Sequence, residues 1–263
     1  MRPYTFLRAV GMMLMLLTLT MSCKKTRPDD PAPDPEKEIP TPDPNDDKTD
    51  DPKVDPSTGI EVKSITFDVS AYETFVYFSF KDGIVYISDE QSRELTNWDM
   101  AFHRADIRTN GGKSSAIGAM GAAFETSATL LSEKVEIPSA DKFETDVDYV
   151  VAISHSDQNG VVQGYRPVSP VLTTKTSPVL DENGNPVRGE NGFIKYVIIR
   201  RGAVVMDLSQ MPPVMELSRK VYLIRTPDGS YAKVKITKYA RKPGTPMGDP
   251  GRILRMDYVY PVK

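Results

Sequence analysis

Short runs in which apolar and polar residues alternate recur from about Gly59 to the end of the chain, and they predict β-strands. Residues 65–69 and 231–237 show the alternation most clearly, since every second side chain of a strand lies on the same face. The break at residues 81–83, Lys-Asp-Gly, predicts a hairpin, because glycine accepts the positive φ of a tight turn. Helical periodicity is nearly absent. The sequence therefore predicts an all-β fold: an antiparallel, sandwich-like or open two-layer β domain with long loops.

Residues 97–112 contain the only tryptophan of the chain and one of its two histidines. In an extended conformation the side chains divide between two faces, with Trp98, Met100, Phe102 and Arg104 on one and Asp99, Ala101 and His103 on the other. We therefore expect a strand with an apolar face and a polar face, and we place Trp98 inside the domain. Just before this strand, residues 88–95 predict a single helical turn.

Further strands are predicted at residues 147–153, 161–162, 193–199, 203–208 and 253–260. Residues 154–160 are polar and predict a turn that contains His155, and residues 181–192 predict a long polar loop. The pair Pro212-Pro213 cannot continue a central strand, so the chain must turn or leave the sheet there. Residues 111–123 are rich in glycine and alanine, which allows backbone to approach either backbone or a flat ligand; we favour close backbone packing.

The N-terminus has the organisation of a lipoprotein signal. Arg2 and Arg8 precede a short apolar run, which is followed by Ser22 and Cys23, the only cysteine of the chain. The run is short for a membrane span, and a single cysteine in an exported chain cannot form an internal disulfide. Residues 1–22 are therefore predicted to be a lipoprotein signal peptide, and Cys23 the lipidated residue. Thr20 departs from the leucine that such signals usually carry three residues before the cysteine.

Proline and aspartate dominate residues 28–58, where apolar residues are few. Such a segment cannot bury enough apolar surface to offset its conformational entropy. We expect residues 23–58 to carry the lipid anchor and to form a disordered tether, and residues 59–263 to form the β domain.

Composition and motifs exclude several classes of function. The formal charge of −3 gives no nucleic-acid footprint, and no glycine-rich phosphate loop follows a strand. His103 and His155 lie in unrelated contexts, so no nucleophile is paired with a base, and neither a carboxylate pair nor a zinc ligand set stands out. The sequence indicates a binding protein and not an enzyme.

Several blocks resemble the HmuY family of haem-binding lipoproteins from Bacteroidetes-type bacteria. They are Ala71-Tyr72-Glu73-Thr74, Tyr77-Phe78-Ser79-Phe80, the segment NWDMAFHR followed by IRTNGG at residues 97–112, Leu217-Ser218-Arg219-Lys220-Val221-Tyr222 with the turn Pro227-Asp228-Gly229, and the C-terminal Tyr258-Val259-Tyr260-Pro261-Val262-Lys263. Residues 114–205 match poorly. The resemblance implies an all-β fold and haem, iron protoporphyrin IX, as cargo.

The resemblance also bears on the axial ligands of the haem iron, which in this family are His or Met from loops in the second half of the domain. Alignment through Leu217-Ser218 puts Leu208 at a ligand position, and leucine cannot bind iron. Two sulfur donors flank it. Met211 lies in the proline-bounded turn and is either a ligand or an ordinary loop methionine, whereas Met206 lies on the apolar strand face and is better explained as core filler.

A second axial ligand is not identified by the sequence. The loop at residues 181–192 contains neither His nor Met, so His155 is the remaining candidate in the second half of the domain. His103 lies within a block that looks structural, and we do not take it as a ligand. Two alternatives stay open: haem is held by one axial ligand together with packing, or the cargo is another porphyrin-like molecule.

Two functions follow as alternatives. The first is a haemophore-like lipoprotein of the outer membrane, at the cell surface or released, which passes haem to a TonB-dependent receptor. The second is a non-haem adhesion or glycan-binding surface lipoprotein of the same fold. Glycan sites commonly present exposed aromatic residues, and Trp98 is predicted to be buried.

Overall fold

The fold is built from two antiparallel sheets that share one core. The computed structural model describes residues 50–54, 58–71, 74–157, 160–190, 192, 194–207, 214–245 and 251–262. The larger sheet has six strands in the order β1 (Asp50–Val54), β2 (Glu61–Asp68), β16 (Arg252–Val262), β15 (Tyr231–Arg241), β14 (Tyr222–Arg225) and β7 (Ala122–Glu125). The smaller has four, in the order β4 (Gly83–Val85), β3 (Val76–Ser79), β5 (Met100–His103) and β6 (Asp106–Thr109).

Aromatic side chains from both sheets form the centre of the core. Phe67 of the six-stranded sheet stacks on Phe102 of the four-stranded sheet, with ring centroids 4.4 Å apart, and meets Phe78 edge to face at 5.5 Å. All three side chains are fully buried. Because the apolar faces of the two sheets interdigitate in this way, the predicted all-β, two-layer, sandwich-like architecture is confirmed.

Three two-stranded ribbons extend the chain beyond these sheets. They are β8 (Val147–Asp157) with β9 (Gly160–Val168), β10 (Lys175–Pro178) with β11 (Tyr196–Arg200), and β12 (Val204–Asp207) with β13 (Val214–Leu217). All are antiparallel. The predicted long polar loop at residues 181–192 connects β10 to β11, and the chain reverses between β12 and β13 around the predicted proline turn.

Helix is scarce in the described part of the chain. The helix α1 (Asp89–Ser92) is one turn long, as predicted, and it begins with a capping box in which Ser88 Oγ accepts from the Gln91 N–H and Gln91 Oε1 accepts from the Ser88 N–H. Two 3-10 turns, Gly112–Ser114 and Ala140–Lys142, complete the helical content. Nothing helical in these residues has the length and apolar character of a membrane span.

The expected division of β5 into an apolar and a polar face is wrong. Met100, Ala101 and Phe102 are fully buried, and His103 is only 6% exposed. The second face of the four-stranded sheet is covered by another cluster, in which Trp98, Tyr77 and Ala101 pack with Val168 of β9. Trp98 is buried, as predicted, but on the side of Ala101 and not of Met100. The alternation of side chains within residues 97–104 could not show that Val168, at the base of the ribbon β8–β9, covers this face of the sheet.

The last part of the segment predicted as a tether contains a strand. Asp50–Val54 forms β1, whose Lys53 pairs with Val62 and whose Val54 pairs with Glu61. Val54 is 60% exposed, and β1 lies at an edge of the six-stranded sheet. Cys23, the predicted signal peptide and residues 23–49 lie outside the described residues.

The glycine-rich segment packs backbone against backbone. A Cβ on Gly121 would lie 2.3 Å from the carbonyl oxygen of Asn110, and one on Gly111 would lie 1.9 Å from the carbonyl oxygen of Gly121. Only glycine permits this approach. The packing interpretation of residues 111–123 therefore holds for these two positions.

Candidate functional site

The three ribbons start from a common base in the core. Thr173 and Val204 form an isolated parallel bridge, the Ala203 N–H donates to Leu172 O at 2.7 Å, and Thr174 Oγ1 donates to Val204 O at 2.7 Å. A Cβ on Gly202 would lie 2.3 Å from Leu172 O, so the crossing needs glycine. Several chain segments therefore come together at this base. They are the end of β9, both ends of the middle ribbon β10–β11, and the start of β12.

The ribbon β12–β13 carries the methionine candidates. Met206 of β12 is the register partner of Met215 of β13, and paired positions share one face of a ribbon. Met211 lies between the two strands, outside the described residues, and its assignment as a ligand stays a prediction. Met215 is half-buried and was missed by the sequence analysis, although its place four residues after Met211 in an apolar strand was visible.

His155 lies in β8, near the end of the first ribbon. The sequence predicted a polar turn over residues 154–160, but the strand continues to Asp157, which pairs with Gly160. The register shifts between Ala152 and Ser156, so His155 falls in an irregular part of the strand. The polar composition of residues 154–160 suggested a loop. Whether His155 binds a metal stays a prediction.

A buried carboxyl fixes the base of the first ribbon. Asp146, the residue before β8, accepts hydrogen bonds from Thr109 N–H at 2.9 Å, Thr109 Oγ1 at 2.6 Å and Ser114 Oγ at 2.6 Å, and its side chain is almost fully buried. Burial raises the pKa of Asp146 to about 7, against the lowering effect of these hydrogen bonds. No local pattern indicates this role, because the partners of Asp146 lie 37 and 32 residues away in the sequence.

An arginine fixes the other strand of the same ribbon. Arg108 of β6 is buried, and its Nε donates to Pro167 O of β9 at 2.8 Å. Its guanidinium lies 3.6 Å from the ring centroid of Phe75 and pairs with Asp89 at 3.4 Å. The ribbon β8–β9, which bears His155, is thus attached to β6 at both strands. Asp146 makes the attachment next to β8, and Arg108 makes it at β9.

His103 belongs to this structural base. Its Nδ1 lies 2.5 Å from Arg166 Nη1 and 3.5 Å from Asp106 Oδ2, and its ring packs 5.3 Å from that of Phe75. The histidine is almost fully buried among these groups, which agrees with the interpretation of its block as structural.

The middle ribbon presents apolar side chains to solvent. Val197 and Ile199 of β11 are 51% and 58% exposed, and the cations Lys195 and Arg201 flank them in the sequence. At the base of this ribbon, the Arg200 guanidinium donates two hydrogen bonds to the Glu144 carboxylate, at 2.7 and 2.8 Å. These hydrogen bonds lower the pKa of Glu144. An apolar patch between cations suits an amphiphilic anion better than a polar ligand.

Metal-type clusters of side chains are absent from the described residues. No three His, Cys, Asp or Glu side chains of this part come together as a metal site. Of the haem-type donors with described side chains, Met100 and Met256 are fully buried, while Met120 is 49% exposed in the glycine-rich segment. On the ribbons, Met215 is the one haem-type donor whose side chain is described, and it is half-buried.

Comparison with known proteins gives a consistent result. A family model described as HmuY protein matches residues 71–249, well over half of the chain. A crystal structure of a proposed HmuY-like heme-binding protein from Bacteroides vulgatus is 24% identical and superposes with a TM-score of 0.51 over 82% of this chain and 98% of its own. A proposed lipoprotein from Bacteroides fragilis is 19% identical, with a TM-score of 0.51 over 84% of this chain and 100% of its own. These two structures share the fold. No curated protein matches the chain.

Proposed function

Because this chain belongs to the HmuY family, we propose that it binds haem on its ribbons and delivers it to a TonB-dependent outer-membrane receptor. The observation that carries the proposal is the extent of the family match. Residues 71–249 include the four-stranded sheet, all three ribbons and the three ligand candidates Met211, Met206 and His155.

The ligand chemistry supports the same cargo. Haem iron accepts an imidazole nitrogen or a thioether sulfur as an axial ligand. The hairpin β12–β13 holds Met206, Met211 and Met215 within ten residues, and the ribbon β8–β9 holds His155. Of these, Met211 is the preferred ligand, since Pro212-Pro213 would restrict the turn and lower the entropy lost on binding.

The base of the ribbons supports a preformed site. Asp146 and Arg108 fix one ribbon, and the Thr173–Val204 bridge ties the other two to it. Ligands carried on ribbons that are rigid at their base lose less conformational freedom when the cargo binds.

The proposal includes a lipid anchor at Cys23 and an outer-membrane location. The signal-like N-terminus and the single cysteine after Ser22 support it, and the similar protein from Bacteroides fragilis is itself described as a proposed lipoprotein. The acidic segment that precedes β1, residues 28–49, would hold the domain away from the membrane surface.

Titration of the mature chain with hemin tests the cargo directly. We expect a saturable change in the visible absorption band at one haem per chain, and a weaker response to iron-free protoporphyrin, because the latter lacks a metal to ligate. A chain that stays spectrally silent with hemin and binds on a glycan array would instead favour the adhesion function. The burial of Trp98 removes one aromatic platform that such a glycan site would use.

A further inference from the structure

A cavity of about 340 Å³ lies away from the ribbons, beside the C-terminal strand of the larger sheet. Ile60, Val135, Val259 and Val262 form its apolar wall, and Lys233 of β15 forms part of its floor. A volume of this size is at the lower end of the ~300–1,000 Å³ range of small-molecule sites. No residue of the ribbons lines it.

Lys233 is a buried cation that the described residues leave without a carboxylate partner. Only 5% of the residue is exposed. Its Nζ donates to the carbonyl oxygens of Leu131 and Glu133, the latter at 3.1 Å. An ammonium group has three N–H donors, so one remains for a further acceptor. Burial lowers the pKa of Lys233, which is the effect of a charge held with incomplete compensation.

The nearest carboxylate on the cavity wall is already engaged elsewhere. Glu133 Oε1 accepts from the Thr129 N–H at 2.8 Å and from the Leu130 N–H at 2.6 Å, and these bonds lower its pKa. The Glu133 carboxylate therefore closes its own loop and makes no salt bridge with Lys233; its charge raises the pKa of Lys233, but by less than burial lowers it. With Lys134 also on the wall, the charged side chains lining the cavity sum to a net positive charge.

We propose that this cavity binds a small aliphatic carboxylic acid, with its carboxylate on the Lys233 ammonium and its alkyl chain along Val135, Val259 and Val262. A carboxylate supplies the missing acceptor and the opposite charge, and the apolar wall covers a chain that an inorganic anion lacks. A neutral alcohol would satisfy the donor without the charge, and an amine would place two cations together.

Sodium octanoate is the probe, titrated into the mature chain by calorimetry, with octanol and octylamine in parallel. We expect saturable binding of one octanoate, weaker binding of octanol and none of octylamine. The variant Lys233→Met should weaken octanoate binding by about tenfold or more, because it removes a charge-assisted hydrogen bond.

Lys235→Met is the matched control. Lys235 lies two residues along the same strand and also donates to a loop carbonyl, Thr129 O at 2.6 Å, but it does not line the cavity. Octanoate binding should persist in this variant. Unchanged binding by Lys233→Met would overturn the proposal, and so would equal binding of octanoate and octylamine by the unmodified chain, a result that stands even if Lys233→Met fails to fold.

Discussion

The Thr109 hydroxyl donates to the Asp146 carboxylate at 2.6 Å, in a place where the carboxyl has almost no contact with water. Thr109 ends β6 of the four-stranded sheet and Asp146 immediately precedes β8, so this bond joins the rigid core to the ribbon that carries His155. The same carboxyl also accepts from the Thr109 N–H and from Ser114 Oγ. One ionisable group thus holds the base of a ribbon.

The stability of the domain should depend on the ionisation of this group. Burial raises the pKa of Asp146 to about 7 from 3.8. A carboxyl whose pKa is higher in the folded than in the unfolded chain contributes stability at low pH and loses it as the pH rises through the folded value. The free energy of unfolding of the unmodified chain should therefore fall between about pH 4 and pH 7, by a few kcal/mol at most. We expect Asp146→Asn to remove this fall.

Urea unfolding of the unmodified chain and of Asp146→Asn at several pH values in this window measures the effect. Burial also raises the pKa of Asp99, to about 6, and gives a slope of the same sign, so the difference between the two proteins is the quantity to compare. Asp148→Asn, an exposed neighbour in β8, is the control and should keep the slope. Parallel curves for the unmodified chain and Asp146→Asn would contradict the prediction.

Close backbone packing at Gly121 gives a second prediction. Gly121→Ala places a Cβ 2.3 Å from Asn110 O, and neither backbone can withdraw without disturbing β6. We expect a loss of about 3 kcal/mol or more in the free energy of unfolding. Gly118→Ala is the control: its left-handed φ of 72° costs about 1–2 kcal/mol, but nothing lies within 4 Å of the new Cβ. Equal losses would show that the packing is not tight.

Local patterns in the sequence predicted the elements well, and contacts distant in the sequence account for the errors. The hairpin at Gly83 and the strands around Phe67 and Val234 follow from alternation and from the turn residues. The polar face assigned to His103 was wrong because Arg166, from a ribbon 60 residues later, covers it. No local pattern contains that contact.

The candidate site was predictable to a smaller extent. The resemblance pointed to Met211 and Met206, but the register that pairs Met206 with Met215 depends on how the hairpin closes. His155 was expected in a turn because residues 154–160 are polar, whereas the strand β8 extends to Asp157. Asp146 was not predicted at all, since a carboxylate before a strand is ordinarily a surface group.

The axial ligand prediction is tested by single substitutions. We expect Met211→Ala to weaken hemin binding and to alter the visible spectrum, because it removes a sulfur donor. Met206→Ala should mainly lower the melting temperature, in line with a loss of packing. Both spectra and melts are needed for each variant.

Met215→Ala controls for the loss of any methionine from this hairpin, since Met215 is half-buried and pairs with Met206. Unchanged affinity and spectrum for Met211→Ala would remove Met211 as a ligand. His155→Ala would then be the next variant, and a lost absorption band there would assign the iron to the first ribbon.

The lipid anchor gives a fourth prediction. Cys23→Ala should release the protein from the membrane fraction, because acylation of this residue is the only membrane attachment proposed. Fractionation followed by immunoblotting measures the distribution. Ser22→Ala keeps the cysteine and a small residue before it, and it should stay in the membrane fraction. Retention of Cys23→Ala would point to an uncleaved signal or to a protein contact.

Limited proteolysis tests the N-terminal boundary. Lys37 and Lys48 precede β1, whereas Lys53 lies in β1 and pairs with Val62. We expect trypsin to cut after Lys37 and Lys48 early and after Lys53 late, since cleavage at a paired strand requires local opening. Mass spectrometry of a time course identifies the order. Early cleavage after Lys53 would place the start of the stable domain at Gly59.

The shared base of the three ribbons makes their lengths independent of the core. The second and third ribbons begin at neighbouring points beside the Thr173–Val204 bridge, so insertion of two residues into each strand lengthens a ribbon by about 6.6 Å without moving a core side chain. Insertion of one residue into each strand would instead turn the outer residues to the opposite face. The length of a ribbon can therefore change in evolution while the two sheets and their shared core stay the same.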